Sequence, residues 1–122
     1  MAEERRVYEP NVDSVRDARR FIGAQVGEAG GDADAAALMV SELAANAVLH
    51  AGSRYEVRVR RNGTSVRVEV VNDRPEMIAR LVAASDESGR GLAIVNELAR
   101  AWGIETGDGR ETVWFELPLG GA

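Results

Sequence analysis

The chain predicts a two-layer α/β sandwich, with helices on one face of a mixed, mostly antiparallel sheet. Three observations carry this. Tyr55-Glu56-Val57-Arg58-Val59-Arg60 and Val66-Arg67-Val68-Glu69-Val70 alternate apolar and charged residues about Asn62-Gly63, as a hairpin with one covered and one wet face does. A second strand pair is predicted about Gly107-Asp108-Gly109, and the remaining chain carries helical periodicity.

The predicted element order is α-α-β-β-α-α-β-β. Val7 to Glu9 suits a short edge strand before Pro10. Asn11 or Asp13 caps a first helix to about Gly27, whose apolar face is Val15, Ala18, the aliphatic stem of Arg19, Ile22 and Val26. Asp32 or Asp34 caps an Ala-rich second helix running from Ala35 to about Ala51 and stopping at Gly52. After the hairpin, a short helix is predicted over Glu76 to Ala84, followed by the polar run Ser85-Asp86-Glu87-Ser88. A further helix opens at Gly91 or Leu92, with Leu92, Val95, Leu98 and Ala99 at helical spacing. Strands at about Trp102 to Thr106 and Glu111 to Leu117 complete the chain.

Composition narrows the chemistry. The 122 residues are 45% hydrophobic and 29% charged, the size and balance of one domain over residues 1–122. No run approaches the roughly 20 apolar residues of a membrane span. The charged start, Met1-Ala2-Glu3-Glu4-Arg5-Arg6, predicts no secretory signal and a cytoplasmic protein. Zero Cys and one His leave no thiolate metal site and no histidine cluster. A net charge of -5 disfavours nucleic acid as a partner. All 15 basic residues are Arg, which removes the P-loop, Schiff-base and kinase ion-pair lysines.

Three places carry candidate chemistry, and three further sets of residues take structural readings. Glu42 and Asn46 stand i,i+4 beside the apolar stripe of the second helix, so they point the same way. Spacing alone leaves two readings: a polar pair lining a pocket or a satisfied network, or two solvated residues at the edge of the stripe. Gly89-Arg90-Gly91-Leu92, at a helix entry, has the glycine spacing and helix start that let backbone amides meet phosphate; the plainer reading is a flexible helix entry. Asp73 can accept hydrogen bonds from a ligand or cap its own turn. His50 near a helix end is read as a carbonyl cap or packing residue. Trp102 and Trp114 are read as core or interface residues, and Arg58, Arg60, Arg61 and Arg67 as a solvated face interleaved with Glu56 and Glu69.

In this order the segments resemble the histidine-kinase-like ATPases with the Bergerat nucleotide fold. Ser41-Glu42-Leu43-Ala44-Ala45-Asn46-Ala47-Val48-Leu49-His50-Ala51 is similar to the N box, and Val70-Val71-Asn72-Asp73 to the aspartate strand. Gly89-Arg90-Gly91-Leu92 resembles the glycine box, and Gly107-Asp108-Gly109-Arg110-Glu111-Thr112-Val113-Trp114-Phe115 the final hairpin. The compact length and Thr-Val-Trp-Phe ending resemble bacterial anti-sigma factor serine/threonine kinases of the RsbW type. Those are ATP-binding proteins that sequester a sigma factor and phosphorylate a STAS-type antagonist.

The resemblance implies ATP and Mg²⁺ as cofactors, with Asn46 on the metal and Glu42 as the base for the acceptor hydroxyl. It implies Asp73 on the adenine amino group, supported by Thr112, and phosphates cradled at Gly89, Arg90, Gly91 and Leu92. Its implied partners are a sigma factor and a STAS-type antagonist, with a second copy of the chain in a homodimer. The sequence departs from the family pattern at Leu49, where a basic residue is common, at Arg74-Pro75-Glu76, in the short stretch between Asp73 and Gly89, and at Arg110-Glu111-Thr112. These departures keep a second expectation beside the first: a non-catalytic module of the same fold that binds a sigma factor or antagonist.

Overall fold

The structure, a computed structural model, describes residues 3–84 and 90–120; the side chains of residues 81–90 are not described. Five strands form one sheet: β1 (Glu4–Tyr8), β2 (Tyr55–Asn62), β3 (Ser65–Asn72), β4 (Ala101–Gly107) and β5 (Arg110–Pro118). Their spatial order is β1-β2-β3-β5-β4, and every pairing is antiparallel. The parallel component allowed for in the sequence reading is therefore not used. Strand β5 lies between β3 and β4, so the return through α3 and α4 carries the chain past one strand position to β4, and the final hairpin brings β5 back against β3.

Valine alternation decides which sheet face is covered. Val57 and Val59 of β2, Val66, Val68 and Val70 of β3, and Val113, Phe115 and Leu117 of β5 are buried. At about 1.5–3 kcal/mol per buried side chain, a one-residue slip of β3 would forfeit most of this face. The two-residue turn of the first hairpin is Gly63-Thr64, since Asn62 already pairs with Ser65. Gly63 takes φ 66°, a conformation open to glycine at no steric cost.

Four helices cover the valine face: α1 (Val12–Glu28), α2 (Ala33–Asn46), α3 (Met77–Ala84) and α4 (Arg90–Leu98). Asn11 caps α1, its side chain accepting from Ser14 N at 2.9 Å, and Asp32 caps α2, accepting from Ala35 N at 3.0 Å. Helix α1 packs along α2, α2 also meets α4, and α1 and α2 rest on β2 and β3. Ile22, Val26, Met39 and Val40 are fully buried between the layers. Leu98, predicted on the inner face of α4, is 39% exposed because the helix ends there.

The second helix does not remain α-helical to Gly52. After Asn46 it loosens into a π-helical turn, Ala47–Ala51. Such turns are rare and accumulate at functional sites.

The other sheet face is charged. Arg58 pairs with Glu56 and, at 3.6 Å, with Glu69. Arg67 reaches Glu69, Glu105 and Glu116 while lying 4.1 Å over the Trp114 ring. Among the described residues no helix is long and apolar enough to cross a membrane.

Candidate functional site

Helix α2 supplies the first part of the site. Glu42 and Asn46, one turn apart, look toward the start of α4, where Gly91 makes a close approach. A Cβ at position 91 would stand 3.3 Å from Asn46 Nδ2, 3.3 Å from Glu42 Cβ and 3.6 Å from Glu42 Oε1. A Cβ here would crowd the two side chains, which would have to shift by a few tenths of an ångström to admit it. Leu92, the next residue, is 3% exposed and anchors α4 in the core. The structure thus brings together Glu42, Asn46 and Gly91 from segments almost 50 residues apart.

Asn46 carries an unusual feature: its Nδ2 is buried and has no hydrogen-bond partner among the described residues. A buried amide donor without a partner costs about 1–3 kcal/mol, so natural proteins retain one where a ligand, ion or water completes it. A carboxamide offers both a donor and a hard oxygen, which suits an anionic oxygen and a Mg²⁺ ion that keeps most of its waters. The cradle at Gly91 and the orphaned amide fit the Mg²⁺ and nucleotide that the resemblance implies. Among the described residues there is no group of three or more His, Cys, Asp and Glu side chains that could hold a metal without such a ligand.

The second part lies where β3 ends and β5 begins. Period-two alternation carries Asn72 into phase with Val66, Val68 and Val70, and Glu111 into phase with Val113, Phe115 and Leu117. Both face inward, at 2% and 0% exposure. They bond each other, Asn72 Nδ2 donating to Glu111 Oε1 at 3.3 Å. Glu111 also accepts from Ile78 N at 2.9 Å and Ala79 N at 3.2 Å, tying the free amides of the first turn of α3 to the sheet. Asn72 Oδ1 accepts from Arg74 N at 2.7 Å. Each buried polar group named here has a partner.

Asp73, one residue further on, leaves the inward phase. Its side chain is 55% exposed and pairs with Arg110 Nε at 3.3 Å. Thr112 sits opposite Val71 and Glu105, on the face away from the helices. Gly89 lies outside the described residues, and of Arg90 only its place as the first residue of α4 is described. His50 is exposed at the end of the π-turn, and Trp102 Nε1 donates to Asn96 Oδ1 at 2.9 Å.

Asn72 and Glu111 are the polar residues that the sequence reading passed over. The signal was present: each continues an inward-facing valine phase, so each is a polar residue committed to the interior.

A helical pair of Glu and Asn cradled by a glycine at a neighbouring helix start, over an antiparallel sheet, is accompanied by a direct family match. The model described as "Histidine kinase-like ATPase domain" matches residues 8–117. The chain belongs to this family. The histidine kinase-like ATPase fold also appears in similar solved structures. One comprises the RsbU and RsbW domains of a Mycobacterium tuberculosis protein, at a TM-score of 0.72 and 22% identity. That match covers 98% of this chain and 33% of the other, so the chain spans about a third of that protein's length. Another is the Acinetobacter baumannii histidine kinase AdeS, at a TM-score of 0.58 and 10% identity, covering 99% of this chain and 70% of that one. No curated protein matches the sequence significantly.

Proposed function

We propose that this histidine kinase-like ATPase domain binds Mg²⁺·ATP and acts as an anti-sigma-type regulator that phosphorylates a Ser or Thr of a STAS-type antagonist. The observation that carries the proposal is the buried, unpartnered Nδ2 of Asn46 beside Glu42 and Gly91. Asn46 would hold the metal through its carboxamide oxygen and offer Nδ2 to an anionic oxygen. Bound Mg²⁺ supplies charge neutralisation to the transferring phosphoryl group. Glu42, one turn before, would take the proton of an acceptor hydroxyl. Gly91 keeps the approach open, and the amides at the start of α4 favour negative charge.

A second reading, a partner-binding module that transfers nothing, is favoured by one observation. Asp73, assigned by resemblance to the adenine, is engaged with Arg110, and Thr112 faces away from the helices. Base recognition must then come from elsewhere, or Asp73 must exchange Arg110 for the base.

Calorimetric titration of Mg²⁺·ATP into the wild type, Asn46→Ala and Asp73→Asn tests nucleotide binding. Saturable heat that Asn46→Ala abolishes is the expected result, and none up to millimolar nucleotide would reject it. Label transfer from γ-labelled ATP to a STAS-type antagonist, lost in Glu42→Gln with binding retained, separates the kinase from the binding module.

A further inference from the structure

Among the described residues, the two most exposed large apolar side chains fall into one place. Val12 at the start of α1 is 76% exposed and Leu49 in the π-turn is 74% exposed. Together with Val15, Ala45 and Val48 they line a groove of about 300 Å³ between α1 and the end of α2, rimmed by Arg16 and Arg19. Contiguous exposed apolar surface edged by charge marks an interaction site, whereas scattered single residues would not. The groove does not include Glu42, Asn46 or Gly91.

We infer that this groove docks an acidic amphipathic helix of another protein. Charge complementarity selects the occupant. In a chain with a net charge of -5, Arg16 and Arg19 are both exposed, and neither has an ion pair within 4.0 Å among the described residues. Their neighbour Arg20, by contrast, reaches Asp17 at 3.9 Å. Two cations beside an apolar trough suit a helix that lays a ridge of Leu, Ile or Val into it and carries Asp or Glu along its flank. A second copy of the chain is the competing occupant, and the sedimentation arm of the test below reads it. An anionic membrane is opposed by the acidic charge of the whole molecule.

Placing Leu49 on this rim also gives a role to a residue that departs from the family pattern. The π-turn displays it, since the chain after Asn46 no longer follows the α-helical period that would carry position 49 along with positions 42 and 46. The inference rests on the partner-binding half of the proposed function and not on nucleotide binding, which calorimetry reads separately on the same variants.

The test is selection of a displayed random library of helix-biased 16-residue peptides against the full-length chain. The selected peptides are then titrated, by fluorescence anisotropy, into the wild type, Leu49→Arg and the double variant Arg16→Glu/Arg19→Glu. All three positions are exposed, and circular dichroism checks that the fold is kept. Expected are peptides with apolar residues at i, i+3 or i+4, and i+7 and an excess of Asp and Glu. They should bind Leu49→Arg at least 10-fold more weakly, and the double variant should prefer their Lys-substituted forms. Selected peptides without acidic bias, or with equal affinity for all three proteins, would overturn the inference. So would a concentration-dependent dimer in sedimentation that Leu49→Arg dissolves, since the groove would then be a contact between copies.

Discussion

The two polar poles of this domain are built from similar residues and differ in one respect. At the end of β3, Asn72 and Glu111 are buried and complete each other, together with the amides of Arg74, Ile78 and Ala79. At the end of α2, Asn46 is half-buried, and its buried Nδ2 is not completed by any described residue. A carboxamide in the first setting is a structural member; in the second it is the residue that the proposed function gives to the ligand. The difference teaches that burial alone does not locate function. An unpartnered interior atom does not locate it alone either, since Tyr8 Oη shares that state; Asn46 is set apart by having Glu42 and Gly91 beside it.

Breaking the closed pole should have the largest effect on stability. Glu111→Ala would leave Asn72 Nδ2 and the amides of Ile78 and Ala79 without their acceptor, with an expected cost of about 3–5 kcal/mol in urea unfolding. A cost below about 1 kcal/mol would show that water replaces the carboxylate and that the pole is not closed.

The matching change at the open pole should behave oppositely. Asn46→Ala removes an atom that bonds nothing described and places the best helix former in α2, so stability should hold to within about 1 kcal/mol. Nucleotide affinity, by calorimetry, should fall at least 10-fold, about 1.4 kcal/mol. Loss of stability without loss of affinity would reverse the assignment of the two poles.

Gly91→Ala sharpens the comparison further. Helix propensity favours Ala by about 0.5–1 kcal/mol, while its Cβ would crowd Asn46 and Glu42 at 3.3 Å. The two terms should nearly cancel in thermal unfolding, whereas nucleotide affinity should drop several-fold.

The tyrosines give a pH-dependent case of a buried polar group. Burial raises the phenol of Tyr55 above its ordinary value of 10.0, against the lowering effect of its 2.6 Å bond to Ser14, and burial raises Tyr8 likewise. A raised folded-state value means that the native state holds the proton more tightly. The associated stability is therefore intact below pH 10.0 and lost as pH rises past it. Absorbance titration should show both tyrosines, stacked 5.5 Å apart, ionising above pH 10.0, with urea resistance declining over the same range.

The smallest effect is expected at Asp73. Its pair with Arg110 is half-exposed, so Asp73→Asn should change stability by less than about 1 kcal/mol. A larger loss would mean that Asp73 belongs to the closed pole rather than to its rim.

How much of this was legible beforehand follows from the range of each interaction. The hairpin, the Ala-rich helix with its Asp32 cap and the pairing of Glu42 with Asn46 are set by neighbours within four residues, and the sequence displayed them directly. Motif order named Gly91 as a candidate without showing what it touches. The inward turn of Asn72 and Glu111 was written in the valine phase, but seeing it required carrying the alternation one residue past the strand ends. The engagement of Asp73 with Arg110 depends on two residues 37 positions apart and on which face each strand end presents.

The sequence alone determined the elements, the covered face of the sheet and the candidate pair on α2, because helix and strand periods and caps are local. Tertiary structure alone decided three matters. Gly91 lies in contact range of Asn46 and Glu42, Nδ2 of Asn46 remains without a described partner, and Val12 and Leu49 meet across one groove. Each depends on how separate elements pack against one another, and packing distance is not encoded in the period of any one of them.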